Sequence, residues 1–94
     1  NLNEKDNKNE NKTIKDRGFN YSIKIADFYY LSSAKIMLER IKSEIFLKNV
    51  DIIKLSEKNF RVLVGPFTNL KSLQNAYNSV QNLEFENIEI IKND

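Results

Sequence analysis

Phe60-Arg61-Val62-Leu63-Val64-Gly65-Pro66-Phe67 is the stretch whose reading decides the fold. Phe60, Val62 and Val64 alternate with Arg61 and Leu63, the two-residue period of a strand that buries one face. Gly65-Pro66 holds the only proline and one of the two glycines of the chain. Proline has no N–H to give to a ladder, so the strand is predicted to stop after Val64 in a forced turn. Past the turn, Thr68 or Asn69 is placed to cap a helix whose apolar residues Leu73, Ala76, Tyr77, Val80 and Leu83 share one side.

Towards the N-terminus, Ser56-Glu57-Lys58-Asn59 reads as a hairpin connection and Asp51 to Leu55 as the strand before it. An earlier helix is predicted from a cap at Ser32 or Ser33 to about Lys48. Ala34, Met37, Leu38, Ile41 and Ile45 fall on one of its sides, and Lys35, Glu39, Arg40, Lys42 and Glu44 mostly on the other. Tyr21, Ile23 and Ile25 alternate with Ser22, Lys24 and Ala26 in a first strand, after which Asp27 to Leu31 is an aromatic-rich loop. Asn87 to Ile91 supplies a last strand.

The order strand, helix, strand, strand, helix, strand predicts an α+β domain of the ferredoxin-like βαββαβ type: a four-stranded antiparallel sheet, order 4-1-3-2, with both helices on one face. The other face stays open. Strand parity assigns to it Ser22 and Lys24, Ile52 and Lys54, Arg61 and Leu63, and Glu89 with Ile91 beyond it.

Ninety-four residues at 40% hydrophobic content suit one small domain. Residues 1–17 offer only Leu2 and Ile14 as clear apolar anchors, and every aromatic lies from Phe19 onward. The segment 1–18 is therefore expected to be a disordered polar linker, and 19–94 the folded domain. With neither cysteine nor histidine in the chain, a zinc site, thiol chemistry and a Ser-His-Asp triad are excluded, and no cofactor is implied. Fifteen basic and 13 acidic residues are mixed along the chain, without the basic stripe of a nucleic-acid binder. No run approaches the length of a membrane span. A chain opening on Asn1 reads as a fragment or processed product, with any signal peptide or lipid anchor upstream.

Ile23-Lys24-Ile25-Ala26-Asp27-Phe28 followed by Ala34, and then Phe60 to Phe67, resembles the SPOR domain family, the sporulation-related repeat. The similarity covers about residues 21 to 91. It implies a non-catalytic module that binds septal peptidoglycan, in particular glycan strands stripped of their stem peptides. It also implies a periplasmic or cell-envelope location at the division septum. Parent proteins of such modules include late cell-division proteins and rare lipoprotein A, in some bacteria a lytic transglycosylase. Lys24 stands where glutamine is common, Ala26 and Asp27 where glycine and alanine are common, and Leu73 where a small residue is usual. A cation and an anion do not reproduce an amide's paired donor and acceptor.

A stripped glycan presents acetamido groups, hydroxyls, apolar sugar faces and the free lactyl carboxylates of muramic acid. Lys24, Lys54 and Arg61 suit the carboxylates, Ser22 the hydroxyls, and Leu63 and Ile52 the sugar faces. The resemblance adds Asp27. Phe28 and Phe60 have core parity, although Phe60 at a strand end can swing outward and so joins the glycan-binding candidates. Tyr29 and Tyr30 cannot both enter one core, which leaves at least one of them, Tyr29 as the candidate, beside the glycan. The expected partner is peptidoglycan, without nucleic acid, without membrane contact by the domain, and as a monomer. An RNA-recognition module of the same topology stacks bases on outward aromatics of strands one and three, where this chain has Ser22, Lys24, Arg61 and Leu63. An acylphosphatase-like enzyme needs an arginine in the first loop, and Ala26 to Leu31 has none. A protein-interaction or small-ligand regulatory module is the remaining alternative.

Overall fold

Alternating apolar residues become strands here because one side of each can be covered. In a computed structural model, which describes residues 18–93, the elements are β1 (Tyr21–Phe28), α1 (Leu31–Glu44), β2 (Val50–Ser56), β3 (Asn59–Phe67), α2 (Leu70–Gln81) and β4 (Glu89–Lys92). The expected linker at 1–17 lies outside the described residues. The strands form one antiparallel sheet ordered β2-β3-β1-β4, the predicted ferredoxin-like topology. Ala34 and Ile41 of α1 and Leu73, Ala76 and Val80 of α2 share a core with Ile23, Ile25, Val62 and Val64. Both helices therefore cover the same side of the sheet, and the opposite side is left open.

β2 gains a residue at each end and β4 runs from Glu89 to Lys92 rather than from Asn87 to Ile91, but the larger differences are at the ends of β3 and β1. β3 does not stop at Val64; it continues through Gly65 and a cis Pro66 to Phe67, which pairs with Tyr21. A bulge at Gly65-Pro66 takes up the proline's missing donor, which is how a proline survives inside a strand. The Gly65 N–H still donates to the Asn49 carbonyl at 2.8 Å. On β1 the pairing passes from Lys24↔Leu63 to Ala26↔Val62, so Ile25 is an extra residue. Beyond that bulge Asp27 faces Arg61 and Phe28 faces Phe60, so the strand takes in the first two residues of the predicted Asp27–Leu31 loop and leaves Tyr29 and Tyr30 as the connection to α1.

β2 has the opposite parity to the one predicted. Val50 pairs with Val64 and Ile52 with Val62, which puts both on the helix side, and Lys54 pairs with Phe60 on that side too. Asp51 and Ile53 take the open side. The cause is Val50: it is buried, and burying it fixes the direction of every residue after it. Val50-Asp51-Ile52-Ile53-Lys54-Leu55 carries apolar residues at both parities, so alternation alone does not decide.

The helices hold their predicted faces with shifted ends. In α2, the Asn69 side chain accepts from the Ser72 N–H at 2.9 Å, satisfying one of the first-turn donors. In α1, Ser32 and Ser33 lie in the first turn, and Tyr30 precedes it without a side-chain cap bond. α1 ends at Glu44, short of Lys48, and Phe46 follows at φ 58°.

Candidate binding face

The open side of the sheet divides into a charged end and an apolar end. Across the charged end, Glu89 of β4, Lys24 and Asp27 of β1 and Arg61 of β3 form an alternating row. The Arg61 Nε donates to Asp27 Oδ1 at 2.7 Å and an Nη donates to Oδ2 at 3.0 Å. The Lys24 Nζ lies 3.5 Å from Glu89 and 3.9 Å from Asp27. This forked pairing comes from the Ile25 bulge, which turns Asp27 onto the face where Arg61 stands. The hydrogen bonds from Arg61 hold the Asp27 carboxyl below the ordinary carboxylate range, against a smaller opposing effect of burial, and Asp27 raises Arg61 in return.

A folded carboxyl below its unfolded value stabilises the fold above the unfolded value and loses that contribution as pH falls through the folded one. Asp27→Asn is therefore expected to lower stability at neutral pH by about 0.5–1 kcal/mol, the scale of a partly exposed pair. The difference should vanish well below the unfolded carboxyl value of about 3.9, where the parent Asp27 is also neutral. Urea titrations at the two pH values measure it, and a deficit that persists in acid would place the effect in packing.

At the apolar end, Ser22, Leu63, Gly65, Pro66, Ile53, Asp51, Asn20 and Asn93 surround an open hollow of about 210 Å³. Its floor is aliphatic and its rim is polar. The Asn93 Nδ2 donates to Asn20 Oδ1 at 3.0 Å and to Ser22 Oγ at 2.9 Å, and the Asn93 backbone N–H donates to the Asn20 carbonyl at 2.7 Å. These bonds join the residue before β1 to the residue after β4 at one end of the sheet.

The predicted site residues separate accordingly. Lys24, Asp27, Arg61 and Leu63 share the open face. Ser22 shares it too but is only 4% exposed, because Asn93 and Gly65 lie over it. Ile52 and Lys54 are corrected to the helix side, for the parity reason given above, and Lys54 pairs with Glu57 at 3.4 Å. Phe60 packs against the core rather than swinging out. Tyr29 and Tyr30 are both exposed and meet edge to face at 4.8 Å, and the Lys58 Nζ lies 5.3 Å from the Tyr29 ring centre, at the tip of the β2–β3 hairpin. Ile53, Asp51, Asn20, Asn93 and Pro66 were not among the candidates. The early valine of β2 is the signal that would have found the first two; Asn20 and Asn93 lie just beyond the paired ends of β1 and β4 and are joined only by that register.

No family model, curated protein or solved structure matches this chain.

Proposed function

We propose that this domain is a non-catalytic binding module for peptidoglycan glycan strands, preferring those without stem peptides, and that it carries its parent envelope protein to the division site. The observation that carries this is the hollow on the uncovered sheet face: an aliphatic floor of Leu63, Ile53 and Pro66 inside a rim of amides and one carboxylate. A sugar ring has the matching character, an apolar face and an equator of hydroxyl and acetamido groups. The likeness of residues 21–28 and 60–67 to the SPOR pattern supports the same reading.

The paired charges refine how a stripped strand would be told from a substituted one. Arg61 and Leu63 are two residues apart on the same strand face, about 7 Å, so a carboxylate on a ring seated over Leu63 comes within reach of the guanidinium. Asp27 takes the Nε and one Nη donor, and the remaining N–H donors, which have no side-chain partner among the described residues, are the ones a ligand would meet. Selection then rests first on shape, with a stem peptide excluded by its bulk, and second on a shared rather than a free cation. Stacking of bases has no support, since the strand positions facing the open side carry no aromatic residue among those described.

Co-sedimentation with sacculi before and after amidase treatment tests the proposal. The treated sacculi should retain more of the domain. Leu63→Glu, which puts a charge on the half-buried floor opposite Asp51, should weaken retention by at least about tenfold, the scale of one misplaced group, with a thermal scan of the variant showing that it is still folded at the temperature of the assay. Equal retention by both preparations, or full retention of Leu63→Glu, would remove the glycan from this face.

A further inference from the structure

Phe46 is the most exposed large apolar residue among those described, at 80%, and its backbone φ is 58°. At the end of a helix that left-handed conformation is the usual place for glycine or asparagine, and a bulky side chain there is strained. Neither packing nor backbone geometry favours a phenylalanine at this position. Lys42, Phe46, Leu47 and Lys48 line a hollow of about 270 Å³ to which no acidic residue among those described contributes. The carboxylate nearest in sequence, Glu44, accepts from Arg40 Nε at 3.2 Å. The corner is thus an aromatic wedge standing between two ammonium groups that pair with no carboxylate among the described residues.

We propose that this corner is a contact for an anionic lipid surface, with the Phe46 ring entering the headgroup boundary and Lys42 and Lys48 meeting lipid phosphates. One ring and two lysines make a patch far smaller than the roughly 800 Å² per partner of a stable protein interface. They suffice for a weak surface anchor, which demands no complementary shape and gains from any second attachment. The contact departs from the expectation of a domain that touches no membrane. An exposed aromatic between lysines leaves no trace in composition, and no helix among the described residues is long and apolar enough to cross a bilayer.

The test is sedimentation of the whole chain with equimolar phosphatidylglycerol–phosphatidylcholine vesicles against pure phosphatidylcholine. Binding should appear only with the anionic vesicles and fall with added salt. The double variant Lys42→Gln/Lys48→Gln should weaken it by roughly 30-fold, about fivefold for each cation near a charged surface. Phe46→Gly should weaken it by about tenfold or more while melting at the same temperature or higher, since glycine accepts the left-handed backbone without strain. No partition into anionic vesicles would overturn the proposal, as would Phe46→Gly binding like the parent chain. So would Phe46→Gly melting lower, which would make the ring a packing residue. A parent chain that dimerises in the ultracentrifuge and becomes monomeric as Phe46→Gly would assign the ring to self-association instead.

Discussion

Gly65→Ala should unfold far more readily than the parent chain, by about 2–4 kcal/mol, the combined scale of a strained backbone and an overpacked contact. Gly65 sits at φ 139°, a region that residues with a Cβ rarely enter, and a Cβ built there would lie 2.7 Å from Ser22 Oγ and 3.1 Å from Ser22 Cα. The hydroxyl can be removed but the backbone atom cannot. For a domain of this size each kcal/mol moves the melting temperature by roughly 4–8 °C, so the loss is easily read in a thermal scan. Placing Gly65→Ala in a Ser22→Gly background should recover the part due to the hydroxyl and leave the backbone part. A single variant melting within a degree of the parent would mean that this position is not held at positive φ.

Ile23→Ala should cost about 2–5 kcal/mol, the range for truncating a buried aliphatic side chain. Ile23 is fully buried at the centre of the sheet, opposite Val64 on one side and Ile90 on the other. A domain of this length has a total stability of only about 4–11 kcal/mol, so a large fraction of its margin is lost. Ile90→Ala is the control: its side chain is 49% exposed on a short edge strand, and its cost should stay below about 1 kcal/mol. Denaturant titrations of the two variants provide the comparison. If Ile23→Ala loses no more than Ile90→Ala, the core is not centred on β1.

The fold was legible because its evidence is local. Tyr21-Ile23-Ile25, Phe60-Val62-Val64 and the spaced apolar residues of the two helices each reveal a period within a few positions, and the order of those periods leaves few topologies. The candidate site was legible only where it depends on one strand. Arg61 and Leu63 were placed on the open face because β3 alternates cleanly. Ile52 and Lys54 were misplaced because β2 has apolar residues at both parities, and only the burial of Val50 chooses between them. The forked bond from Arg61 to Asp27 spans 34 residues and the bond from Asn93 to Ser22 spans 71. Both depend on register: the first on the bulge at Ile25 between β1 and β3, which no composition rule marks, and the second on the regular pairing of β1 with β4. What the sequence presented as free cations is a row of pairs already made.

The two bulges between β1 and β3 have opposite sense, one adding a residue to β3 at Gly65-Pro66 and the other adding one to β1 at Ile25. They act like two compensating frameshifts in a coding message. Tyr21↔Phe67 before the first and Ala26↔Val62 after the second belong to one phase, and only Ile23↔Val64 and Lys24↔Leu63 between them are read in another. A change of length in either strand alone would carry the rest of the ladder out of phase, taking Asp27 away from Arg61 and Phe28 away from Phe60. The two irregularities therefore cancel, and both ends of the ladder share one phase only while both are present.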